Sequence, residues 1–155
     1  MDESLDYRQK LIEEYKRTTV PLLKYLPWLE KNAGQQGSTL YQGNGENQNA
    51  LRFPVYDATL MGFVREAAAS PLMYRNYSYV YTRIGIRTHE DERRVIAGAE
   101  LKEWDLLRGI LSRYVLGGRT KASLWSEAVK ENIFCLVLER MQKIIEYWDK
   151  PLDIR

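Results

Sequence analysis

The hydrophobic positions of residues 101–148 recur at helical spacing in three stretches separated by short polar connections. A side chain returns to the same helical face every three to four residues, so each stretch predicts one amphipathic helix. The apolar stripes are Trp104, Leu107, Leu111 and Tyr114 in the first, Leu124, Trp125, Ala128 and Val129 in the second, and Phe134, Val137, Leu138, Met141, Ile144, Ile145 and Trp148 in the third. Helices with short connections must pack together, so we predict that they form the core and that Trp125 is largely buried.

The connection between the first two of these helices contains Gly117-Gly118-Arg119-Thr120. Glycine adopts a left-handed backbone conformation at little cost, and this conformation often ends a helix. We therefore expect one of the two glycines to have a positive φ and to cap the first helix.

The first half of the chain predicts shorter helices. One begins at Asp2 or Ser4, and a second begins near Thr19-Val20-Pro21 and must be kinked or restarted by Pro27. Two later helices begin at the N-cap residues Asp57 and Thr88. The Asp57 helix buries Leu60, Phe63, Val64 and Ala67 and ends at Ser70-Pro71.

Residues 73–87 fit two structures. Tyr77, Tyr79 and Tyr81 alternate with smaller residues, and such β-formers favour a strand locally. The chain offers only poor partner strands, near Leu40 or Arg52. We therefore favour a helix or an irregular segment here.

Residues 33–50 differ in composition from the rest of the chain. Of these 18 residues, 13 are Gly, Gln, Asn, Ser or Thr, which predicts a long, mobile polar loop. Gly43-Asn44-Gly45 does not indicate a phosphate loop, because no Lys-Ser/Thr follows and no strand precedes it.

Together these patterns predict an all-α fold: a single compact domain, residues 1–155, of about six or seven helices with one long polar loop. The 155 residues suffice for one domain with its own core. No apolar run approaches the ~20 residues that cross a bilayer, and the acidic start, Met1-Asp2-Glu3-Ser4, is not a signal peptide. With a single cysteine as well, the sequence predicts a soluble, cytoplasmic protein without a membrane partner.

Few residues suit catalysis or metal binding. His89 is the only histidine, and we interpret it as a solvated surface residue. Cys135 lies in an apolar run, where a buried thiol is expected. Glu127 and Glu131 can share a helical face, but the Glu-x-x-His units of di-metal bundles are missing. We predict no catalytic residue, no metal and no cofactor.

The charge pattern is the most suggestive feature. Residues 67–89 and 106–126 contain no Asp or Glu, yet both segments carry arginines, and the first interleaves them with tyrosines. Arginine and tyrosine together suit phosphate contact and base stacking. The same side chains can instead fill space and bind carbonyl groups, and the net charge of +2 is too balanced to decide. The candidate binding residues are Arg83, Arg87, Arg113, Arg119, Tyr79 and Tyr81.

Residues 116–129 read Leu-Gly-Gly-Arg-Thr-Lys-Ala-Ser-Leu-Trp-Ser-Glu-Ala-Val. This segment resembles the signature of a bacterial domain-of-unknown-function family, and Phe53-Pro54-Val55-Tyr56-Asp57 also fits it. The resemblance implies a helix that ends in an Arg- and Gly-containing turn, a Trp-x-x-Ala helix and an apolar final helix. Ala122 and Asn132 stand where the family has Gly. Asn tolerates the left-handed conformation, so the second change should preserve a turn. The resemblance assigns no activity to any residue.

These observations favour a non-enzymatic interaction or accessory domain that binds a protein partner or a second copy of itself. Nucleic-acid binding through the Arg- and Tyr-rich segments is the alternative. An enzyme ranks third, because nucleophiles, bases and metal ligands are scarce.

Overall fold

The fold is all-α, as the sequence predicts. A computed structural model describes residues 3–34, 38–41, 53–121 and 123–149. In these ranges it contains eight α-helices, slightly more than predicted, and one pair of short strands. The helices are α1 Glu3–Leu23, α2 Leu26–Lys31, α3 Ala58–Ala68, α4 Tyr77–Ile84, α5 His89–Gly98, α6 Trp104–Gly117, α7 Ser123–Lys130 and α8 Ile133–Trp148. None of these helices is long and apolar enough to cross a membrane.

Helix α6 occupies the centre of the core. It packs against α3, α4, α5, α7 and α8, and it buries residues on most of its circumference, including Trp104, Leu107, Ile110 and Tyr114. Helices α7 and α8 also contact each other, which confirms that the three predicted helices form the core. Trp125 is partly buried and packs against this core, although it lies less deep than Trp104.

Helix α1 runs further than the sequence suggests. We predicted a new helix near Pro21, but α1 continues through this residue to Leu23, and the chain breaks only at the turn before α2. Thr19 and Leu22 are buried on both sides of the proline, so packing holds the last turn in place. Pro27 lies at the start of α2, as the predicted restart requires.

Residues 77–84 form helix α4, which confirms the helical interpretation of this segment. α4 packs closely on α6: a β-carbon added to Gly109 would lie 2.9 Å from a methyl group of Val80. Tertiary packing therefore decides the conformation against the local β-propensity of the tyrosines.

Strand β1, Ser38–Tyr41, pairs antiparallel with β2, Phe53–Tyr56, with Thr39 opposite Val55. β1 lies inside the segment predicted as a polar loop, so this part of the segment is a strand. β1 includes Leu40 and β2 begins next to Arg52, the two places that we considered poor partners for a strand in residues 73–87. They pair with each other instead. Residues 35–37 and 42–50 of the predicted loop lie outside the described residues.

The turn after α6 differs from the prediction. Gly117 is the last residue of α6, and Gly118 has a φ of −65°, so neither glycine is left-handed. Gly118 is needed for space: a β-carbon there would lie 2.0 Å from Nε1 of Trp125. Asn132, between α7 and α8, has a φ of 64°, which confirms the predicted left-handed turn.

Candidate functional site

A cleft of about 410 Å³ opens between α4, the start of α5, the end of α6 and the start of α7. Residues from α4 to the start of α5 that line it are Tyr81, Ile86, Arg87, Thr88, His89 and Glu92. Residues from α6 onwards that line it are Arg113, Lys121, Leu124 and Glu127. We call this cavity the Glu92 cleft, because the Glu92 carboxylate connects its polar side chains.

The Glu92 side chain is 1% exposed. Tyr114 donates its hydroxyl to both carboxylate oxygens, at 2.7 and 2.8 Å, and the Tyr81 hydroxyl donates to Oε2. The Arg113 guanidinium also donates to Oε2, at 3.1 Å. A buried carboxylate is costly unless its oxygens are hydrogen-bonded and its charge is paired, and both conditions are met here.

The two tyrosines and Arg113 form one packed group. The guanidinium carbon of Arg113 lies 4.9 Å from the ring centre of Tyr81 and 5.1 Å from that of Tyr114, within cation–π distance. Burial raises the pKa of both hydroxyls well above the usual range, and the Glu92 charge raises it further. Both tyrosines therefore remain hydrogen-bond donors at neutral pH.

His89 lies between two carboxylates. Its Nδ1 is 2.8 Å from Oε1 of Glu92 and 3.2 Å from the Tyr114 hydroxyl, and its Nε2 is 3.7 Å from Oε1 of Glu127. The side chain is 32% exposed. The interpretation of His89 as a solvated surface residue is therefore wrong, because the ring is hydrogen-bonded to a buried carboxylate at the edge of the cleft.

A capping box fixes the backbone before His89. The Asp91 amide donates to the Thr88 hydroxyl at 3.0 Å, and the Asp91 carboxylate accepts from the amides of Thr88 and Arg87. The bond from the Arg87 amide is the main reason that the pKa of Asp91 is lowered. The start of α5 thereby holds Arg87, Thr88 and His89 in a defined order along the cleft.

The structure brings together half of the predicted binding residues. Arg87, Arg113 and Tyr81 line the Glu92 cleft. Arg83, Arg119 and Tyr79 are exposed and do not line it. The two acid-free segments nevertheless lie side by side, because α4 packs on α6.

The remaining cleft residues include four that we did not select as binding residues from the sequence: His89, Glu92, Lys121 and Glu127. Tyr114, which is buried behind the cleft and bonded to Glu92, was not selected either. Glu92 looked like an acidic residue that stabilises the start of a helix. The His-x-x-Glu spacing at positions 89–92 was a signal that the two side chains can meet. Nothing local indicated that Tyr114 and Arg113 join them.

Other arginines have structural roles. Arg108 donates to the carbonyl oxygens of Pro71, Leu72 and Met73 and to the Asp105 carboxylate. Arg140 donates to the carbonyl oxygen of Ala99 at 2.7 Å. Arg108 and Arg140 thus bind main-chain carbonyl groups, whereas Arg87 and Arg113 line the Glu92 cleft.

Cys135 is 4% exposed, which confirms its predicted place in the core. Its thiol donates to the Glu139 carboxylate at 2.9 Å, and burial raises its pKa well above the usual range. With Glu30 these two residues form a group whose possible ligand atoms lie within 4.8 Å of one another. The thiol therefore serves as a hydrogen-bond donor to Glu139 at neutral pH.

Comparisons of the chain with protein-family models, with curated proteins and with solved structures found no match, so the resemblance noted in the sequence stays a prediction.

Proposed function

We propose that the protein binds single-stranded nucleic acid, with backbone phosphates held at the Glu92 cleft. The observation that carries this proposal is that Arg87 and Lys121 have no salt-bridge partner among the described residues. Both side chains are exposed and line the cleft, and neither forms a salt bridge with another described residue. Two exposed cations in one cleft, neither in a salt bridge with a described residue, are suited to an anionic group of a ligand.

Further cations extend from the cleft along the surface. Arg83 lies four residues before Arg87, and Arg119 lies two residues before Lys121. Both are exposed, and neither forms a salt bridge within the described ranges. Consecutive α-carbons are about 3.8 Å apart, so the α-carbon of each additional cation lies within about 15 Å of the α-carbon of its neighbour at the cleft. Several phosphates of one strand can therefore be contacted at once.

An exposed aromatic ring accompanies these cations. Tyr79 is 53% exposed and lies four residues before Arg83 on α4, so the two side chains share a helical face. A base can stack on the ring while the guanidinium contacts a phosphate. The balanced net charge of +2 leads us to expect modest, salt-sensitive affinity.

A protein partner or a second copy of the chain, which the sequence favoured, remains an untested prediction. Among the described residues, the exposed large hydrophobic side chains are distributed over three helices: Tyr7 and Val20 on α1, Tyr79 and Ile84 on α4, and Tyr147 on α8. Scattered exposed residues of this kind are normal on a monomer surface. The cleft supports an anionic ligand more directly than these residues support an apolar interface.

The test is fluorescence anisotropy with a labelled poly-uridine RNA at several salt concentrations. The double variant Arg87→Ala/Lys121→Ala should bind at least roughly tenfold more weakly at low salt, and each lost phosphate contact should reduce the salt slope by about 0.7. Arg17→Ala is the matched control, because Arg17 is an exposed arginine on α1 without a salt bridge to any described residue.

Loss of affinity in the double variant together with unchanged binding by the control supports the proposal. Equal affinity of the double variant and the control contradicts it, as does the absence of RNA binding at low salt. Competition by a poly-glutamate peptide at the same concentration as RNA would instead favour an acidic protein partner.

A further inference from the structure

We propose that the Glu92 cleft cleaves RNA without a metal ion, with Nε2 of His89 as the general base. This inference rests on the proposed function, since the cleft must first hold a phosphodiester. It goes further because it assigns a reaction to a chain whose sequence suggested none. The geometry that carries it is a histidine held between two carboxylates in a cleft that also contains Arg87 and Lys121.

The Glu92–His89 pair has the arrangement of a general base and the group that orients it. Glu92 is fixed by Tyr81, Tyr114 and Arg113, and its Oε1 lies 2.8 Å from Nδ1 of His89. A hydrogen bond from Nδ1–H to this carboxylate places the lone pair of the neutral imidazole on Nε2. The His89 side chain is 32% exposed and lines the cleft, and its Nε2 lies on the side of Glu127, away from the buried Glu92 carboxylate.

Ribose supplies the nucleophile for this base. Nε2 of His89 takes the proton of a 2′-hydroxyl group, and the 2′-oxygen attacks the adjacent phosphorus. The bond from phosphorus to the 5′-oxygen breaks, and this oxygen takes a proton from the Lys121 ammonium group. The products are a 2′,3′-cyclic phosphate and a free 5′-hydroxyl group. Water then removes the proton from His89 and returns one to Lys121, so no oxidant, reductant or further co-reactant is needed.

The other charged groups of the cleft suit the charges that develop. Arg87 is placed to balance the growing negative charge on the phosphate oxygens, as fixed cations do in phosphoryl transfer. The imidazolium formed in the first step lies between Glu92 and Glu127, whose Oε1 is 3.7 Å from Nε2. Two adjacent carboxylates stabilise that cation.

The experiment uses an oligonucleotide with a single ribonucleotide in a DNA strand, labelled at one end, in parallel reactions with and without EDTA. The full chain should cut at the ribonucleotide and leave a 2′,3′-cyclic phosphate. An all-DNA strand should remain intact because it lacks the 2′-hydroxyl group. His89→Asn should lower the cleavage rate by about a hundredfold or more, with RNA affinity within about twofold of the parent protein. Arg17→Ala, purified in the same way, should cut like the parent.

Two further variants separate chemistry from folding. In His89→Gly, added imidazole should restore part of the cleavage, which a merely structural role for the histidine does not explain. Glu92 acts through His89 as a positioning residue. In a folded Glu92→Gln variant, kcat should fall while KM changes little, because the Nδ1–H of His89 loses the carboxylate that orients the ring.

The outcomes distinguish this inference from the proposed function. RNA binding without cleavage, or cleavage that persists in His89→Asn, overturns the inference and leaves the binding proposal in place. Cleavage that EDTA abolishes also overturns it, because the mechanism uses no metal. If the chain does not bind RNA at all, both proposals fail together.

Discussion

Replacement of Gly118 by Ala should destabilise the domain strongly, although alanine is the best helix former. Gly118 is buried directly beneath the indole of Trp125. An added β-carbon would lie 2.0 Å from Nε1, 2.3 Å from Cδ1 and 2.5 Å from Cε2 of that ring. Distances this short are not tolerated between non-bonded atoms, so the indole has to move.

Two costs follow from that movement. Forcing additional volume into a packed site costs about 1–3 kcal/mol. Trp125 also donates Nε1–H to the carbonyl oxygen of Val115 at 3.1 Å, and losing such a hydrogen bond costs about 1 kcal/mol. Alanine also reduces the conformational entropy of the unfolded chain relative to glycine, which raises the free energy of unfolding by about 0.4–1 kcal/mol. The free energy of unfolding should therefore fall by about 2–3 kcal/mol.

Three other glycines provide controls. A β-carbon at Gly98 meets no atom within 4 Å, so Gly98→Ala should leave stability unchanged or raise it by up to about 1 kcal/mol. At Gly117 the nearest atom is 2.9 Å away, but it is the end of the flexible Leu124 side chain, so the cost should be smaller than at Gly118. Gly85 has a φ of 80°, and left-handed strain should cost its alanine variant about 1 kcal/mol.

Urea unfolding followed by far-ultraviolet circular dichroism gives the four free energies on one scale. A double-mutant cycle with Trp125→Phe tests the cause, because phenylalanine lacks the five-membered ring that Gly118 faces. The penalty of Gly118→Ala should shrink in that background. If Gly118→Ala is as stable as Gly98→Ala, or if its penalty is unchanged in Trp125→Phe, the steric explanation is refuted.

Three further predictions follow from single contacts. Thr88→Ala should lower the free energy of unfolding by about 1 kcal/mol in urea melts, because it removes the cap of α5. Asn132→Gly should raise the thermal midpoint and Asn132→Ala should lower it, since φ is 64° and the buried Oδ1 has no hydrogen-bond partner among the described residues. The pKa values of Tyr81 and Tyr114 are higher in the folded protein than in the unfolded chain, where tyrosine ionises near pH about 10. Their contribution to the free energy of unfolding is therefore complete below pH about 10 and falls as the pH rises above it. Stability measured against pH should therefore decline less steeply above that pH in Tyr81→Phe/Tyr114→Phe; an identical decline would contradict the assignment.

The sequence predicted the core helices well because their apolar stripes are wide and regular. Helix α8 follows its predicted stripe from Phe134 to Ile145, and these residues are buried as expected. The sequence also predicted a turn after α6, but for the wrong reason. We expected a left-handed glycine, whereas Gly118 is required because Trp125, seven positions later, leaves no space for a β-carbon. Pattern analysis detects periodicity within a helix, whereas such a contact depends on how two helices meet.

The same limit explains why the site could only be predicted in part. The charge pattern identified Arg87, Arg113 and Tyr81, because the absence of nearby acidic residues is visible along the chain. The central Glu92 was missed because its partners are distant in sequence: Tyr81 is 11 residues away, and Tyr114 is 22 residues away. Only the packing of α4 and α5 on α6 brings these side chains together.

Stability alone gives a weak reason for a carboxylate at Glu92. Ion pairs in the interior seldom stabilise a protein more than apolar residues of the same volume would, because both charges lose their hydration. The Glu92 carboxylate also accepts hydrogen bonds from the hydroxyl groups of Tyr81 and Tyr114. An apolar side chain in its place would leave both hydroxyl groups without this hydrogen-bond partner. Such a cluster is better explained by the side chains that it positions at the surface of the cleft. One oxygen of the carboxylate is shared with His89, and the Arg113 partner faces the same cavity. A buried charge whose hydrogen bonds end at the one histidine of the chain is consistent with the positioning role that we propose for Glu92.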